Sequence, residues 1–221
     1  MTFTFFAPAN RLFFAMALLV TLNACSALNP TARPQPSFYS LDSVRSEHPA
    51  LSTVQSASSP ILIVNPTHAA SGFDSKHIIY VRQPHQLEYY AHSEWNDTPA
   101  RMISPLIVAT MAKSGAFRAV IPTPSAATGD LRLDSEIIRL QLDTGTSPSH
   151  VRFTMRSYVL DNTTREVLMW REFDESIDVK GEGPYGTVIA ANRAVQNALE
   201  KLAIFCTEAA GLWQSQRIDL K

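Results

Sequence analysis

Alternating apolar and polar residues mark three successive strands in the second half of the chain. The alternation runs through residues 130–143 and recurs in residues 150–161 and 165–179. A period of two places one face of each strand against a core. The phase of the first run slips near Glu136 and Ile137, which predicts a β-bulge at that point. The three runs together predict an antiparallel meander.

Two segments are predicted to be helices, the longer one from the three-and-four spacing of its apolar residues and the other from the residues at its ends. Residues 185–214 contain the longer one, and Thr98 and Pro99 suit the start of another over residues 96–115. Pro105 leaves two options for that helix, a kinked or two-step helix or a later start with Ser104 as cap. The apolar face of the long helix comprises Val188, Ala191, Val195, Ala198, Leu199, Leu202, Phe205, Cys206 and Ala209.

Shorter strands are predicted in the first half of the chain. They cover residues 38–42, 61–66, 77–92 as two strands about a turn at Gln83-Pro84, and 116–121. Strands and helices that segregate along the chain are typical of an α+β fold. We therefore predict one mostly antiparallel sheet with two helices packed on one face, within a single globular domain over residues 38–214.

Aromatic side chains concentrate in "LEYYAHSEW", residues 87–95. Neighbouring residues of a strand point to opposite faces, so Tyr89 and Tyr90 should face opposite ways. We expect Tyr89 and Trp95 to pack in the core. Tyr90 is then the candidate for an exposed contact with a partner protein.

The N-terminus has the layout of an export signal. Arg11 precedes the apolar run "LFFAMALLVTL", and Asn23-Ala24-Cys25 follows it. An apolar core of about ten residues is typical of a secretory signal and too short to span a bilayer. "LNAC" resembles the bacterial lipobox, which implies cleavage after Ala24 and lipidation of Cys25. The alternative is an ordinary cleaved signal that happens to be followed by a cysteine.

Lipidation would tether the domain to a membrane. Two or three acyl chains on Cys25 hold firmly, because each buried methylene contributes about 0.8 kcal/mol. Residues 25–37 contain three prolines and no apolar period, which predicts an extended linker behind a signal peptide over residues 1–24. Ser26 replaces the Asp that retains enteric lipoproteins in the inner membrane. We therefore expect an anchor in the outer membrane, facing the periplasm.

Charge and cysteine content narrow the classes of function. Loss of residues 1–24 removes Arg11 and no acid, so 18 basic and 20 acidic residues remain, for a formal charge of −2. That balance gives no reason to expect a nucleic acid partner. With Cys25 lipidated, Cys206 lacks a partner in its own chain and is predicted to be a buried free thiol.

No motif for catalysis or cofactor binding is present. The six histidines lack the HExxH spacing of zinc enzymes, and neither GxSxG nor GxxxxGK[ST] occurs. Asp174, Glu175 and Asp178 alternate along a predicted strand and are interpreted as a solvated edge. We expect no catalytic residues, no metal and no cofactor.

Three segments carry a resemblance to a known family. "FYSLD", "IIYVRQPHQLEYYAHSEWNDTPARMI" and "SGAFRAV", in this order ahead of a long meander, resemble the ABC-type transport auxiliary lipoproteins. These include the lipoprotein of the Pqi intermembrane transport system. The resemblance covers about residues 38–210.

The resemblance implies a non-enzymatic role in envelope transport. Its members work with ABC permease and ATPase components and with MCE-domain proteins that move phospholipids, and the lipoprotein would dock this machinery at the outer membrane. A homo-oligomer is one option for its assembly. An alternative is a lipoprotein that escorts an outer-membrane protein, and a third is an envelope enzyme whose site assembles from scattered residues.

Overall fold

The computed structural model describes residues 35–42 and 58–219. The predicted signal peptide, Cys25 and nearly all of the predicted linker lie outside the described residues. The described strands are β1 (Ser37–Tyr39), β2 (Ile61–Val64), β3 (His68–Ala69), β4 (His77–Val81), β5 (Glu88–Trp95), β6 (Ala119–Pro122), β7 (Leu131–Asp143), β8 (His150–Asp161) and β9 (Val167–Asp178). The helices are α1 (Pro99–Lys113) and α2 (Gly183–Asp219).

Strand β7 is the centre of the sheet. One of its edges pairs antiparallel with β8, which in turn pairs antiparallel with β9, so the predicted meander is confirmed. The register of β7 on β8 shifts between Ile137 and Arg139, which confirms the bulge predicted from the phase slip.

The other edge of β7 pairs with three short strands in succession. β2, β3 and β4 all run parallel to it, through pairs such as Leu62 with Leu131 and Tyr80 with Leu142. The sheet then continues in two branches, one through β6 beside β2 and one through β5 and β1 beside β4. The fold is α+β with one mixed, mostly antiparallel sheet, as the sequence predicts.

Both helices pack on the sheet and contact each other. Helix α1 begins at Pro99 after Thr98 and includes Pro105, so the later start at Ser104 is wrong. Helix α2 is longer at both ends than residues 185–214. Its predicted apolar face is confirmed, because all nine of its residues are buried.

The core lies between the sheet and these helices. Phe205 of α2 meets Phe173 of β9 edge to face, with 5.8 Å between ring centroids. Cys206 is a free thiol with no exposed surface, as predicted. Glu175 departs from the predicted solvated edge, since it is buried and pairs with Lys201 of α2.

The expected orientation of the two tyrosines is wrong. Tyr89 is 57% exposed, whereas Tyr90 is half-buried and packs against the core. The physical reason is a large irregularity in β5: His77 pairs with Glu94, but Ile79 already pairs with Tyr89. The extra residues of β5 break the period of two, so alternation cannot be carried across them. Trp95 is buried as expected.

Candidate functional site

The first described strand lies at one edge of the sheet. β1 pairs in parallel with β5, and the amide of Asn96 extends this pairing by donating to the Tyr39 carbonyl at 2.7 Å. Leu41 follows the strand and is buried, with its amide 3.4 Å from the sulfur of Met102. The chain therefore passes from the exposed edge of the sheet into contact with the helical layer.

Asn192 of α2 holds this segment in place. Its Oδ1 accepts from the amide of Asp42 at 2.9 Å, while its Nδ2 donates to the carbonyl of Ser40 at 3.1 Å. The same Nδ2 lies 3.0 Å from the carbonyl of Val188. Asparagine is unfavourable inside a helix, because its amide competes with backbone bonds. Here that amide satisfies two backbone groups that follow β1.

The role of Asn192 is not apparent from the sequence. The available signal was weak: it is a polar residue four positions after Val188, at the border of the predicted apolar face. Three apolar residues that also mattered were Phe38, Tyr185 and Ile189. In the sequence, each of them is a large apolar side chain outside the predicted core, and such side chains can indicate a binding surface.

A groove of about 760 Å³ lies between β1 and α2. Its large apolar side chains are Phe38, Tyr185 and Ile189, which are 62%, 64% and 52% exposed. The remaining lining comprises Tyr39 and Val188, which belong to or pack against the core, and seven polar residues: Ser40, Asp42, Asn192, Arg193, Gln196, Asn197 and Glu200. Exposed aromatic and aliphatic anchors among polar groups are characteristic of protein-binding surfaces.

Tyr90 supports this groove from the inside. Its hydroxyl lies 3.2 Å from Oγ1 of Thr187, a buried residue between Tyr185 and Ile189 on α2. The structure therefore does not place Tyr90 on an exposed surface. The exposed tyrosine is Tyr89 instead. Its ring stacks on His77 with 4.2 Å between ring centroids. A direct contact between Tyr90 and a partner stays a prediction.

A polar network fixes the hairpin that carries Tyr90. The carboxylate of Glu88 accepts hydrogen bonds from the guanidinium of Arg82, and from the hydroxyl of Tyr80 at 3.2 Å. The bond from Arg82 holds the pKa of Glu88 below its ordinary value, against the opposing effect of desolvation. The Tyr80 ring in turn lies 5.2 Å from the Tyr90 ring. In "EYY", Glu88 is therefore a half-buried hydrogen-bond acceptor, the Tyr89 ring is exposed, and the Tyr90 ring packs against the core.

Neither a metal-binding cluster nor an activated thiol is found among the described residues. No group of three His, Cys, Asp or Glu in the described part of the chain could hold a metal ion. Burial raises the pKa of the Cys206 thiol, which disfavours the thiolate needed for nucleophilic chemistry. Within the same residues, no helix is both long and apolar enough to span a membrane.

Comparison with known proteins identifies the family. The model of the ABC-type transport auxiliary lipoprotein component matches residues 39–203. The chain belongs to this family. It is therefore an auxiliary lipoprotein component of ABC-type transport, which confirms the resemblance at the level of the family. A Pqi-type system stays a prediction for this auxiliary lipoprotein.

Solved structures share the fold of the auxiliary lipoprotein. A Xanthomonas campestris protein is 21% identical, with a TM-score of 0.65 over 85% of this chain and 97% of its own. An uncharacterised protein is 11% identical, with a TM-score of 0.59 over 78% of this chain and 99% of its own. Identities this low show the fold alone. No curated protein matches the sequence.

Proposed function

We propose that this auxiliary lipoprotein is a non-enzymatic docking subunit. Cys25 would anchor it in the outer membrane on the periplasmic side, and its domain would hold the MCE-domain protein and, through it, the ABC permease and ATPase. The family supports the transport role. The groove between β1 and α2 supports the docking role, and it is the observation on which the proposal depends.

The groove suits a protein partner because its apolar side chains are already exposed. Phe38 lies on β1, and Tyr185 and Ile189 lie on α2. The hydrogen bonds of Asn192 hold the residues after β1 in place against α2. A partner that covers these three side chains would gain apolar burial at about 25 cal/mol for each Å². Little order need be created in the subunit itself, which lowers the cost of binding.

Ile189→Asp tests the docking role in the full-length chain. A charge in the centre of an apolar contact should remove a binding hot spot of about 2 kcal/mol, which corresponds to about a 30-fold loss of affinity. The tagged lipoprotein is purified from detergent-solubilised membranes, and the MCE-domain protein that copurifies is quantified by mass spectrometry.

Ile204→Asp is the matched control. Ile204 lies on the same helix and is 61% exposed, but it does not line the groove. Normal capture by this control with loss in Ile189→Asp supports the docking role. Equal capture by both variants and the parent would place docking elsewhere. Copurification of a β-barrel in place of the MCE-domain protein would favour the assembly role instead.

A further inference from the structure

A second concave surface lies on the face of the sheet that carries no helix. Leu140 and Leu142 of β7 are buried in the core. Arg139 and Gln141 alternate with them and therefore point to the opposite face. A cleft of about 720 Å³ opens there between the β4–β5 hairpin and the turn that joins β7 to β8.

One wall of the cleft is apolar. Phe73, Val81 and Leu87 supply it. The loop that carries Phe73 approaches the hairpin closely at Gly72, where an added Cβ would lie 3.2 Å from Cδ1 of Leu87. Gly72 also has a φ of +94°, a conformation that side chains disfavour. Leu87 is nevertheless 46% exposed, so this wall keeps apolar surface open to a ligand.

The other wall is cationic. Arg82, Arg139 and Arg152 line the cleft, along with His85 and His150. Arg82 pairs with Glu88, and Arg152 pairs with Asp174 at 2.8 Å, but neither of these carboxylates lines the cleft. The one carboxylate that does is Asp143, which lies 3.6 Å from Nε2 of His150 and accepts from the amide of Gln141.

Arg139 has unused binding capacity. It is half-buried, and among the described residues it makes no hydrogen bond and no ion pair within 4 Å, although its charge helps to lower the pKa of Asp174. The register shift after Ile137 sets it opposite Thr154, whose hydroxyl already donates to Asp174 at 2.7 Å. Arginine is seldom withdrawn from water without a partner, and its planar fork of donors matches carboxylate and phosphate groups.

We propose that this cleft binds an anionic amphiphile. The phosphate or carboxylate head would accept hydrogen bonds from Arg139, beside Arg152, while the apolar chain would lie against Phe73, Val81 and Leu87. A free anion would leave the apolar wall uncovered, and an uncharged lipid would leave Arg139 without its acceptor. The site is distinct from the docking groove, because the two surfaces share no lining residue.

The test titrates the full-length lipidated chain in phosphatidylcholine nanodiscs by calorimetry. The anionic probes are dihexanoylphosphatidic acid and octanoate. Dihexanoylphosphatidylcholine keeps the tails without the net charge, and inorganic phosphate keeps the anion without a tail. At least one anionic probe should bind at least about tenfold more tightly than both comparison compounds, as expected for a charge-assisted hydrogen bond combined with apolar burial.

Arg139→Gln should weaken binding of the anionic probe by about tenfold or more, since it removes the charge and most of the donors. Arg118→Gln is the matched control, because Arg118 is exposed and lines neither the cleft nor the docking groove. Its binding should equal that of the parent. Leu87→Gln is a second variant, at an exposed position, and should also weaken binding of the anionic probe.

Three results would overturn the site. They are binding of neither anionic probe, equal affinity for inorganic phosphate alone, and equal affinity of the Arg139→Gln and Arg118→Gln variants. Melting temperatures are measured alongside, and should Arg139→Gln fail to fold, unchanged binding by Leu87→Gln counts against the site.

Discussion

At the scale of single residues, the position of Cys206 in the helical pattern determines its burial and therefore the reactivity of its thiol. It has no exposed surface and lies on the buried face of α2 with Leu202 and Ala209. Burial raises the pKa of its thiol, so the thiolate is disfavoured at neutral pH. A thiol in this position packs as a small apolar group.

Cys206→Ser should lower the free energy of unfolding by about 1–3 kcal/mol, because a buried hydroxyl without a partner loses its hydration. Urea denaturation followed by fluorescence measures the change. Thr207→Ser on the exposed side of the same turn is the control and should stay within about 0.5 kcal/mol of the parent. Rapid labelling of Cys206 by a thiol reagent in the folded protein would contradict its burial.

Asn192 and Arg139 make a different point at this scale. Neither stands out in the sequence, since single polar residues at the edge of an apolar pattern are common. Each role depends on residues far away in the chain. Asn192 binds the backbone of Ser40 and Asp42, and Arg139 lines a cleft with Phe73 and Leu87. Local periodicity contains no information about such partners.

At the scale of elements, the β4–β5 hairpin decides which tyrosine is available. The irregular pairing of β5 turns Tyr90 toward the helices and leaves Tyr89 outside. The hydroxyl of Tyr90 meets Thr187 in the first turns of α2. The hairpin therefore braces the part of α2 that bears Tyr185 and Ile189.

Tyr90→Ala should destabilise the protein by about 2 kcal/mol or more, since it removes a large ring from the margin of the core. Tyr90→Phe loses only the hydrogen bond to Thr187 and should cost about 1 kcal/mol. Tyr89→Ala is the neighbouring control and should change stability by about 0.5 kcal/mol or less. Denaturation of the three variants measures these differences. The opposite order, with Tyr89→Ala the most damaging, would mean that the hairpin does not have the pairing described here.

At the scale of the whole molecule, the proposed docking role depends on a membrane anchor attached to the domain. The family is one of lipoproteins, and Cys25 is the residue that the sequence predicts for lipidation. A cysteine with two or three acyl chains would keep the domain at the membrane surface, whereas one chain would hold only weakly.

Cys25→Ala should prevent lipidation and leave an uncleaved precursor in the inner membrane. Cells are labelled with an alkyne fatty acid, and the protein is followed by gel mobility and membrane fractionation. Cys206→Ser is the matched control, because it removes the other cysteine and should keep the full label. Equal labelling of Cys25→Ala and the parent would refute lipidation at this residue.

The sequence by itself determined the long strands, both helices and the buried face of α2, but not β3 or the orientation of Tyr89 and Tyr90. The bulge of β7, the meander, the buried face of α2 and the buried Cys206 all follow from local period and side-chain type, because these features are set within a few neighbouring residues. The family resemblance likewise rested on consecutive residues, such as "FYSLD" and "SGAFRAV".

The tertiary structure alone decided how these elements meet. The parallel pairing of β2, β3 and β4 on one edge of β7 joins segments far apart in the chain. That pairing creates the cleft beside Arg139, and the packing of β1 against α2 creates the groove at Ile189. Both surfaces depend on contacts between distant segments, whereas a hydrophobic period reports only which side of its own element a residue faces.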